Sequence, residues 1–316
     1  MHPFEHLRYV ARSAGVSQKA LFYEAAEALL GFGNDPAGLV TSCRRLLARQ
    51  PDSAPLVWLA ARALSSTNPI DEIRDCVEEM ADDQTPKVLA SELPEDVVAS
   101  VLGWSELAAG GLRRRGDIQV LVVDVLGEAS DMVRRLSDTR NGSGKRSASH
   151  AANTHSGIFE VPEAGLGAAV ASCDLVLLES AAVGPHGCLA VAGSLAAASV
   201  AHTSGVPVWL LAGVGAVLPE PMWASLLQRT TGATARTTEA TARGNTRPST
   251  TGVHKRASMI HVWEAEVEQV PLRLVDQLVT AAGMLHPTQV ATAGSCPVVP
   301  ELLVRSPAPQ QITSSG

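Results

Sequence analysis

The sequence lacks an excess of positive charge. Its 316 residues carry 25 lysines and arginines against 32 acidic residues, which gives a formal net charge of -7. Because nucleic-acid-binding proteins need a basic face, this balance argues against a nucleic-acid partner. Apolar residues make up 46% and charged residues 18% of the chain. That composition is typical of a folded globular protein.

The sequence also lacks paired cysteine motifs. Its five cysteines are scattered without C-x-x-C spacing: Cys43, Cys76, Cys173, Cys188 and Cys296. An odd number of scattered cysteines favours reduced, packed thiols in a cytoplasmic protein over a disulfide framework or a zinc site. We therefore expect no metal site, and no motif in the sequence indicates a cofactor.

No uninterrupted apolar run is long enough for a membrane span. The stretch from Leu189 to Val217 is the longest apolar one, but glycines, His202 and Pro207 interrupt it. A span needs about 20 consecutive apolar residues. The N-terminus lacks the apolar core of a signal peptide. We expect a cytoplasmic protein with no membrane contact, in which this stretch forms a buried helix and a buried strand.

Residues 1–115 are predicted to form a helical domain. Apolar residues recur at helical spacing in four stretches, near 16–29, 39–49, 54–64 and 71–80. Glycines and Pro36 separate the first two stretches, and Asn68-Pro69 precedes the fourth. No residue in these four helical stretches indicates chemistry.

Short apolar runs alternate with helical stretches from residue 116 onward. The predicted strands are 118–123, 157–161, 175–178 and 206–211, and the predicted helices are 129–136, 167–172 and 193–202. This alternation predicts a Rossmann-like α/β domain over 116–290, with a doubly wound and mostly parallel sheet, and a tail over 291–316. Ligands of such sheets bind beyond the carboxyl ends of the strands. Functional residues are expected directly after Val123, Val161, Leu178 and Leu211.

Two segments rich in Ser, Thr, Gly and Ala interrupt this alternation, near 140–156 and 229–258. Their composition predicts disordered, solvated loops. The second segment carries Arg229, Arg236, Arg243, Arg247, Lys255 and Arg256 against one acid, Glu239. Binding of a polyanion or phosphorylation of its hydroxyl groups is the alternative interpretation.

Four short segments between Cys173 and Gly215 occur in an order that is typical of one family. They are Asp174–Leu178, His186-Gly187, Gly193-Ser194 and Gly205–Val208. This stretch resembles the core of the initiation factor 2B α/β/δ family, which includes methylthioribose-1-phosphate isomerase and ribose-1,5-bisphosphate isomerase. Weaker matches extend the resemblance over about 95–290: Leu102–Ser105, Val161–Gly165, and Val270–Thr280, which resembles the closing helix of the family.

The residues that the resemblance assigns to catalysis are missing from this chain. The catalytic Asp of the isomerases falls on Ala181, and their Asn-Lys pair falls within Ala190–Ala192. The E-S-R-P segment of the family falls on Asp124–Gly127, so its arginine is absent. Loss of a base and of a phosphate-binding lysine removes several kcal/mol of transition-state stabilisation. The sequence therefore argues against the usual aldose–ketose isomerase reaction.

Several polar and glycine residues near the predicted strand ends remain candidates for a site. Glu179, Glu163 and His186 are candidates for proton transfer, although capping a turn or pairing across an interface explains such residues equally well. Ligand binding is assigned to Ser105, Gly184, His186, Gly187, Gly193 and Ser194. A role in turns and close packing explains the glycines just as well. The start of the helix at Gly193-Ser194 can present N–H groups to an anion. Trp104 and Trp209 are predicted core residues.

The leading functional hypothesis is a divergent, non-catalytic initiation factor 2B-like protein. It binds a sugar phosphate or nucleotide, or acts through protein contacts. The alternatives are an aldose–ketose isomerase with a rearranged site, and a translation-associated subunit that contacts initiation factors. A homodimer or larger assembly is expected, because the Ala-rich helix Leu195–Ala201 is too apolar to be left exposed.

Overall fold

The computed structural model describes residues 18–142, 157–231 and 266–304. The helices are α1 (Gln18–Leu30), α2 (Pro36–Arg49), α3 (Ala54–Ser65), α4 (Pro69–Ala81), α5 (Thr85–Glu92), α6 (Glu106–Leu112), α7 (Ala129–Gly142), α8 (Leu166–Ser172), α9 (Ser194–Ser204), α10 (220–231) and α11 (Val290–Ala293). The strands are β1 (Val98–Leu102), β2 (Gln119–Asp124), β3 (Ile158–Pro162), β4 (Leu175–Val183), β5 (Gly187–Val191), β6 (Val208–Leu211), β7 (Val267–Pro271), β8 (Gln277–Thr280) and β9 (Gly283–Leu285).

The first four helices match the four stretches predicted from apolar spacing. Local sequence signals fix where two of them begin. The Asp35 side chain accepts a hydrogen bond from the N–H of Gly38 at 3.0 Å, and Pro36 opens α2. Asn68 and Pro69 play the same parts for α4. Because these caps satisfy N–H groups that the helix leaves unpaired, both helices start where the sequence predicts.

A mostly parallel sheet follows the helices, in the order β3-β2-β1-β4-β6-β8-β9. All neighbours in this order are parallel except β8 and β9. The predicted Rossmann-like, doubly wound sheet preceded by helices is therefore confirmed. β5 and β7 lie off this order and extend β4 as an antiparallel ladder.

Two predicted features are corrected by the sheet. Residues 98–102 lie inside the range predicted to be helical, yet they form the buried strand β1. A run of this length cannot be assigned to helix or strand by periodicity alone. The match of Val270–Thr280 to a closing helix is also wrong. This segment holds the end of β7, a short turn and β8, because Pro271 would break a helix there and residues 267–271 pair with β5.

The predicted strands and helices of the second half are present with shifted bounds. β4 continues past Leu178 to Val183 and turns back as β5. The Ala-rich helix α9 buries Ala197, Ala198 and Ala201 against its own sheet, and Leu195 is 37% exposed. Burial of this helix therefore does not require a second subunit, and the oligomeric state stays a prediction. All five cysteines are buried and unpaired, as expected.

The two predicted disordered loops lie mostly outside the described residues. Only their first residues are described: 140–142 end α7, and 229–231 end α10. The predicted C-terminal tail is described as far as residue 304. Within the described part of the chain, no helix is long and apolar enough to cross a membrane.

The N-terminal helices share one hydrophobic core with segments from the far end of the chain. Trp58 on α3 is fully buried and stacks on Phe22 with ring centroids 6.0 Å apart. Its indole N–H donates to Ser295 Oγ at 3.1 Å. The same cluster contains side chains of β4, β5 and α10, and of the segment after α11. The helices pack on the α/β part through this cluster. The predicted boundary between two domains at residue 115 therefore stays a prediction.

Replacing Trp58 with Ala is expected to lower the free energy of unfolding by about 3–5 kcal/mol, because the truncation opens a large cavity in this shared core. Urea denaturation followed by circular dichroism measures the loss. Phe159→Ala is the matched control, since Phe159 is 50% exposed on β3. A similar loss for both variants would contradict the shared core.

Candidate functional site

The main cleft of the molecule lies where the direction of strand order changes. β1 has β2 on one side and β4 on the other, so the chain moves outward from β1 in both directions. Such a switch point leaves a crevice beyond the carboxyl ends of the two central strands. A cleft of about 770 Å³ occupies this crevice, with Leu102 of β1 and Leu178–Ala181 of β4 in its wall. Its volume suits a small organic ligand.

Glu179 of β4 is the carboxylate at the centre of this crevice. Ser105 Oγ donates to Glu179 Oε2 at 2.5 Å, and the N–H of Leu107 donates to the same oxygen at 2.9 Å. Ser105 is the N-cap of α6, and its hydroxyl also accepts from the N–H of Ala108. The carboxylate therefore joins β4 to the start of the helix that follows β1, and only Oε2 takes part in these bonds.

The surroundings of Glu179 favour its protonated form. Burial raises the pKa of the Glu179 carboxyl to about 7. The hydrogen bonds from Ser105 and Leu107 lower this pKa, and the negative charges of Glu106 and Asp83 raise it. The carboxyl is therefore able to hold or release a proton near neutral pH, which is the property of a general acid or base.

An inner cavity of about 250 Å³ adjoins the cleft and also borders Glu179. It lies between the N-terminal helices and the sheet, with Pro55 and Met80 on one side and Leu107 and Val214 on the other. Asp83 ties the two sides together, because its carboxylate accepts from the N–H of Thr85 at 2.9 Å and of Val214 at 3.2 Å. The helices thus form part of the wall around Glu179.

Arginines line the side of the cleft that is formed by α6 and α7. Arg113 is partly buried, and the guanidinium of Arg135 lies 5.9 Å from the ring centroid of Trp104. Burial lowers the pKa of Arg113, and the positive charges of Arg135 and Arg114 lower it further. An anion placed between Arg113 and Arg135 would relieve this repulsion, so this side of the cleft is suited to an anionic group.

The start of α9 also borders the cleft. Gly193 is its N-cap with a φ of +94°, a conformation that favours glycine. Ser194 opens the helix and contributes to the cleft wall. The N–H of Leu195 donates to Glu268 Oε1 of β7 at 2.7 Å. The sequence predicted that the start of α9 binds an anion. In the structure the Glu268 carboxylate of the chain itself lies there.

Of the predicted site residues, Glu179 and Ser194 line the cleft, Ser105 donates to Glu179, and Gly193 precedes Ser194. The other four lie elsewhere. Gly184 and His186 lie in the turn of the β4–β5 hairpin, and Gly187 opens β5. A Cβ atom on Gly184 would lie 2.2 Å from the Trp223 ring, and one on Gly187 would lie 3.1 Å from the Val270 carbonyl oxygen. These glycines therefore allow close packing of the hairpin, which was the alternative interpretation. Glu163 is exposed on the turn after β3.

Ser105 donates to Glu179, and Glu179 and Ser194 line the same cleft as Ala181, the residue on which the catalytic Asp of the resemblance falls. Ala181 borders both the cleft and the inner cavity. A methyl group therefore lies where the resemblance requires a carboxylate. Ala190 pairs with Glu268 in the β5–β7 ladder, so the position of the missing Asn-Lys pair belongs to a strand end.

The sequence did not identify Arg113, Arg135 or Glu268 as site residues, and it assigned Trp104 to the core. Trp104 is partly exposed and lines the cleft. It follows the end of β1, so recognising that strand would have pointed to it. The pairs Arg113-Arg114 and Arg134-Arg135 are visible in the sequence. Which of these arginines face the cleft depends on how α6 and α7 pack, and the sequence does not show this. Glu268 lies 73 positions from Leu195, the residue of α9 that it contacts. No pattern in the neighbouring sequence predicts this contact.

Solved structures of initiation factor 2B subunits share this fold. The translation initiation factor eIF-2B of Pyrococcus horikoshii OT3 has a TM-score of 0.68 at 13% identity, covering 91% of this chain and 98% of that one. The eIF2B beta of Chaetomium thermophilum has a TM-score of 0.63 at 15% identity, covering 92% and 90%. The tetrameric eIF2B-beta2-delta2 complex of C. thermophilum has a TM-score of 0.62 at 15% identity, covering 92% and 92%.

No protein-family model and no curated protein matches the chain. The likeness at these low identities is one of fold. The initiation factor 2B-like fold that the motifs between Cys173 and Gly215 predicted is thereby confirmed.

The raised pKa of Glu179 predicts a pH-dependent contribution to stability. The folded state holds this proton up to about pH 7, whereas the ordinary value is 4.5. The contribution is therefore complete below about pH 4.5 and is lost as the pH rises towards 7, at about 1.4 kcal/mol per unit of pKa difference. Glu179→Gln is expected to remove this fall in the free energy of unfolding.

Urea denaturation between pH 4 and 8 measures this effect. Glu163→Gln is the matched control, because Glu163 is exposed, and its profile is expected to follow the unsubstituted protein. Parallel profiles for all three proteins would show that Glu179 titrates like an ordinary exposed carboxyl.

Proposed function

We propose that this chain is a ligand-binding protein with an initiation factor 2B-like fold, which binds a phosphorylated sugar or nucleotide in the cleft and does not catalyse the usual isomerase reaction. The observation that carries the proposal is the pairing, in one cleft at the switch point, of a crowded arginine side with Glu179. The arginine side suits a phosphate, and Glu179 suits a hydroxyl group of a sugar.

The charges in the wall narrow the ligand further. Seven acidic residues and three arginines line the cleft among the described residues. Extended negative charge is therefore disfavoured, and a ligand with a single phosphate fits better than one with several. The phosphate lies at Arg113 and Arg135, and hydroxyl groups face the carboxylates, which accept hydrogen bonds from them.

The missing catalytic groups support a binding role rather than the usual turnover. Ala181 provides no acid or base at the position of the isomerase Asp, and Ala190–Ala192 provide no ammonium group. Aldose–ketose isomerisation requires proton transfer between adjacent carbons, and an alanine cannot perform it. The chain therefore keeps the fold and the crevice, and binds its ligand there without the family's acid.

Association with other copies or with related chains belongs to the same proposal. One of the solved structures of this fold is a tetrameric complex of two kinds of subunit. The chain is proposed to self-associate or to join translation initiation factors in a comparable way. Sedimentation at micromolar concentration tests self-association, and a monomer would contradict it.

A thermal-shift and calorimetry screen against ribose 5-phosphate, methylthioribose 1-phosphate and AMP is expected to reveal binding of at least one compound. Arg113→Gln is expected to weaken this binding about tenfold or more, because a charge-assisted hydrogen bond contributes about 1.5–3 kcal/mol. Ribose 1,5-bisphosphate and GDP, which each carry two phosphates, are expected to bind more weakly than the monophosphates.

Arg114→Gln is the matched control for this screen. Arg114 is adjacent in sequence and exposed, and its guanidinium donates to the Gly110 carbonyl oxygen outside the cleft wall. The affinity of the Arg114→Gln variant for these compounds is expected to equal that of the unsubstituted protein. No binding of any compound by the folded protein would overturn the ligand-binding proposal, and equal losses in both variants would overturn the assignment to Arg113.

An isomerase with a rearranged site is the second candidate, and the pKa of Glu179 favours it. In this alternative Glu179 removes a proton from one sugar carbon and returns it to the neighbouring carbon. Incubation with ribose 1,5-bisphosphate or methylthioribose 1-phosphate would then give the ketose product. Turnover is expected to fall by at least a hundredfold in Glu179→Gln with little change in binding, and absence of product would remove this candidate.

A further inference from the structure

Two apolar side chains in the wall of the main cleft take no part in the proposed contacts with phosphate and hydroxyl groups. Trp104 follows β1 and is partly exposed, and Leu126 lies in the turn between β2 and α7. Leu126 is 54% exposed, the largest value for a large apolar side chain among the described residues. Such exposure is ordinary on an open surface, but in the wall of a ligand cleft it offers an apolar contact to the ligand.

The backbone holds Leu126 in this wall in an unfavourable conformation. Its φ is +62°, in the left-handed region that leucine rarely adopts, and the neighbouring Gly127 has a φ of +78°. The end of the turn is fixed, because Asp124 Oδ1 accepts from the N–H of Ala129 at the start of α7 at 3.1 Å. Strained residues of this kind concentrate at ligand sites. The strain and the exposure of Leu126 therefore indicate a ligand contact rather than a simple connection.

The turns that carry Trp104 and Leu126 touch each other. A Cβ atom on Gly103 would lie 3.0 Å from Val125 Cγ2, so the two turns are in close contact. These two residues directly precede Trp104 and Leu126 in the sequence. The guanidinium of Arg135 lies 5.9 Å from the Trp104 ring centroid. An aromatic ring, an exposed leucine and an arginine are thus close together in one part of the cleft wall.

We infer that the ligand is a nucleoside monophosphate whose base packs against Trp104 and Leu126. A base has two flat faces, which suit an aromatic ring and an apolar side chain. The resemblance places an arginine at Leu126, so this chain has an apolar contact where the family has a charged one. A sugar phosphate has no flat group to cover these side chains, whereas a base linked through ribose to a phosphate at Arg135 does.

This inference rests on the proposed function and names the ligand class of the same cleft. Isothermal titration calorimetry with AMP, ribose 5-phosphate and adenosine tests it. AMP is expected to bind about tenfold or more tightly than ribose 5-phosphate, because stacking of a base on an aromatic side chain contributes about that factor. Adenosine is expected to bind without a phosphate, since the contacts with the base remain.

Substitutions of the two side chains separate the base from the phosphate. Trp104→Ala is expected to lower the ratio of AMP affinity to ribose 5-phosphate affinity about tenfold, whereas Trp104→Phe keeps a flat ring and most of this ratio. Leu126→Gly is expected to lower the ratio severalfold and to keep the fold, because glycine readily adopts a positive φ. Phe159→Ala is the matched control, since this aromatic side chain is 50% exposed outside the cleft wall.

The outcomes separate the inference from the proposed function. Equal affinities for AMP and ribose 5-phosphate would overturn the inference and leave the proposed function standing, as would a preference for AMP that survives Trp104→Ala. If circular dichroism shows that Trp104→Ala does not fold, Leu126→Gly decides in the same way.

Adenosine binding that Trp104→Ala removes, without any binding of ribose 5-phosphate and without an effect of Arg113→Gln on AMP, would support the inference and overturn the assignment of the phosphate to the arginines. No binding of any of the three compounds by the folded protein would overturn the inference together with the proposed function.

Discussion

The position of β1 between β2 and β4 determines most of what the molecule can do. Both pairings are parallel, so the carboxyl ends of three neighbouring strands emerge at one edge. The chain leaves β1 in one direction toward β3 and later returns on the other side to build β4, β6 and β8. A crevice at this edge is therefore a consequence of strand order. Glu179 and Trp104 line it, because Glu179 is the last residue of β4 in the parallel pairing with β6 and Trp104 follows β1. Ser105 donates to Glu179 from the start of α6.

The electrostatics of the crevice follow from what borders each wall. α6 and α7 contribute guanidinium groups, and burial together with the positive charges of Arg135 and Arg114 lowers the pKa of Arg113. The wall at α9 has the opposite arrangement, because the positive helix end already has a carboxylate. Burial raises the pKa of the Glu179 carboxyl, and the negative charges of Glu106 and Asp83 add to this effect, so its neutral form is favoured. The cleft is therefore electrically asymmetric, with its capacity for an anion concentrated at one end.

The sequence predicted those features that depend on neighbouring residues. The first four helices, the strands near 118–123, 157–161, 175–178 and 206–211, and the mostly parallel sheet were all evident from spacing and from turn residues. β1 was missed because a five-residue apolar run has no decisive period. The end of β7 and β8 were taken for a helix because the resemblance to the family implied a closing helix there, although Pro271 lies within the segment.

The candidate site shows the same limit more sharply. Glu179 was identified because it follows a recognisable strand. Gly184 and Gly187 were assigned to ligand binding, although the Trp223 ring and the Val270 carbonyl require them to be small. The contact of Glu268 with the N–H of Leu195 joins residues 73 positions apart. Such contacts arise from the β5–β7 register, and nothing in the local sequence specifies that register.

The hydrogen bond between Trp58 and Ser295 has a consequence for how the protein forms in the cell. Its two ends are separated by 237 positions, and the segment containing Leu302 completes the same core. During synthesis the first four helices are made before β4, β5, α10 and the segment after α11, which cover part of their apolar surface. That part of the surface stays exposed while the intervening residues are being made, and exposed apolar surface in an incomplete chain favours aggregation. Contacts of such large sequence separation also slow the closure of a core.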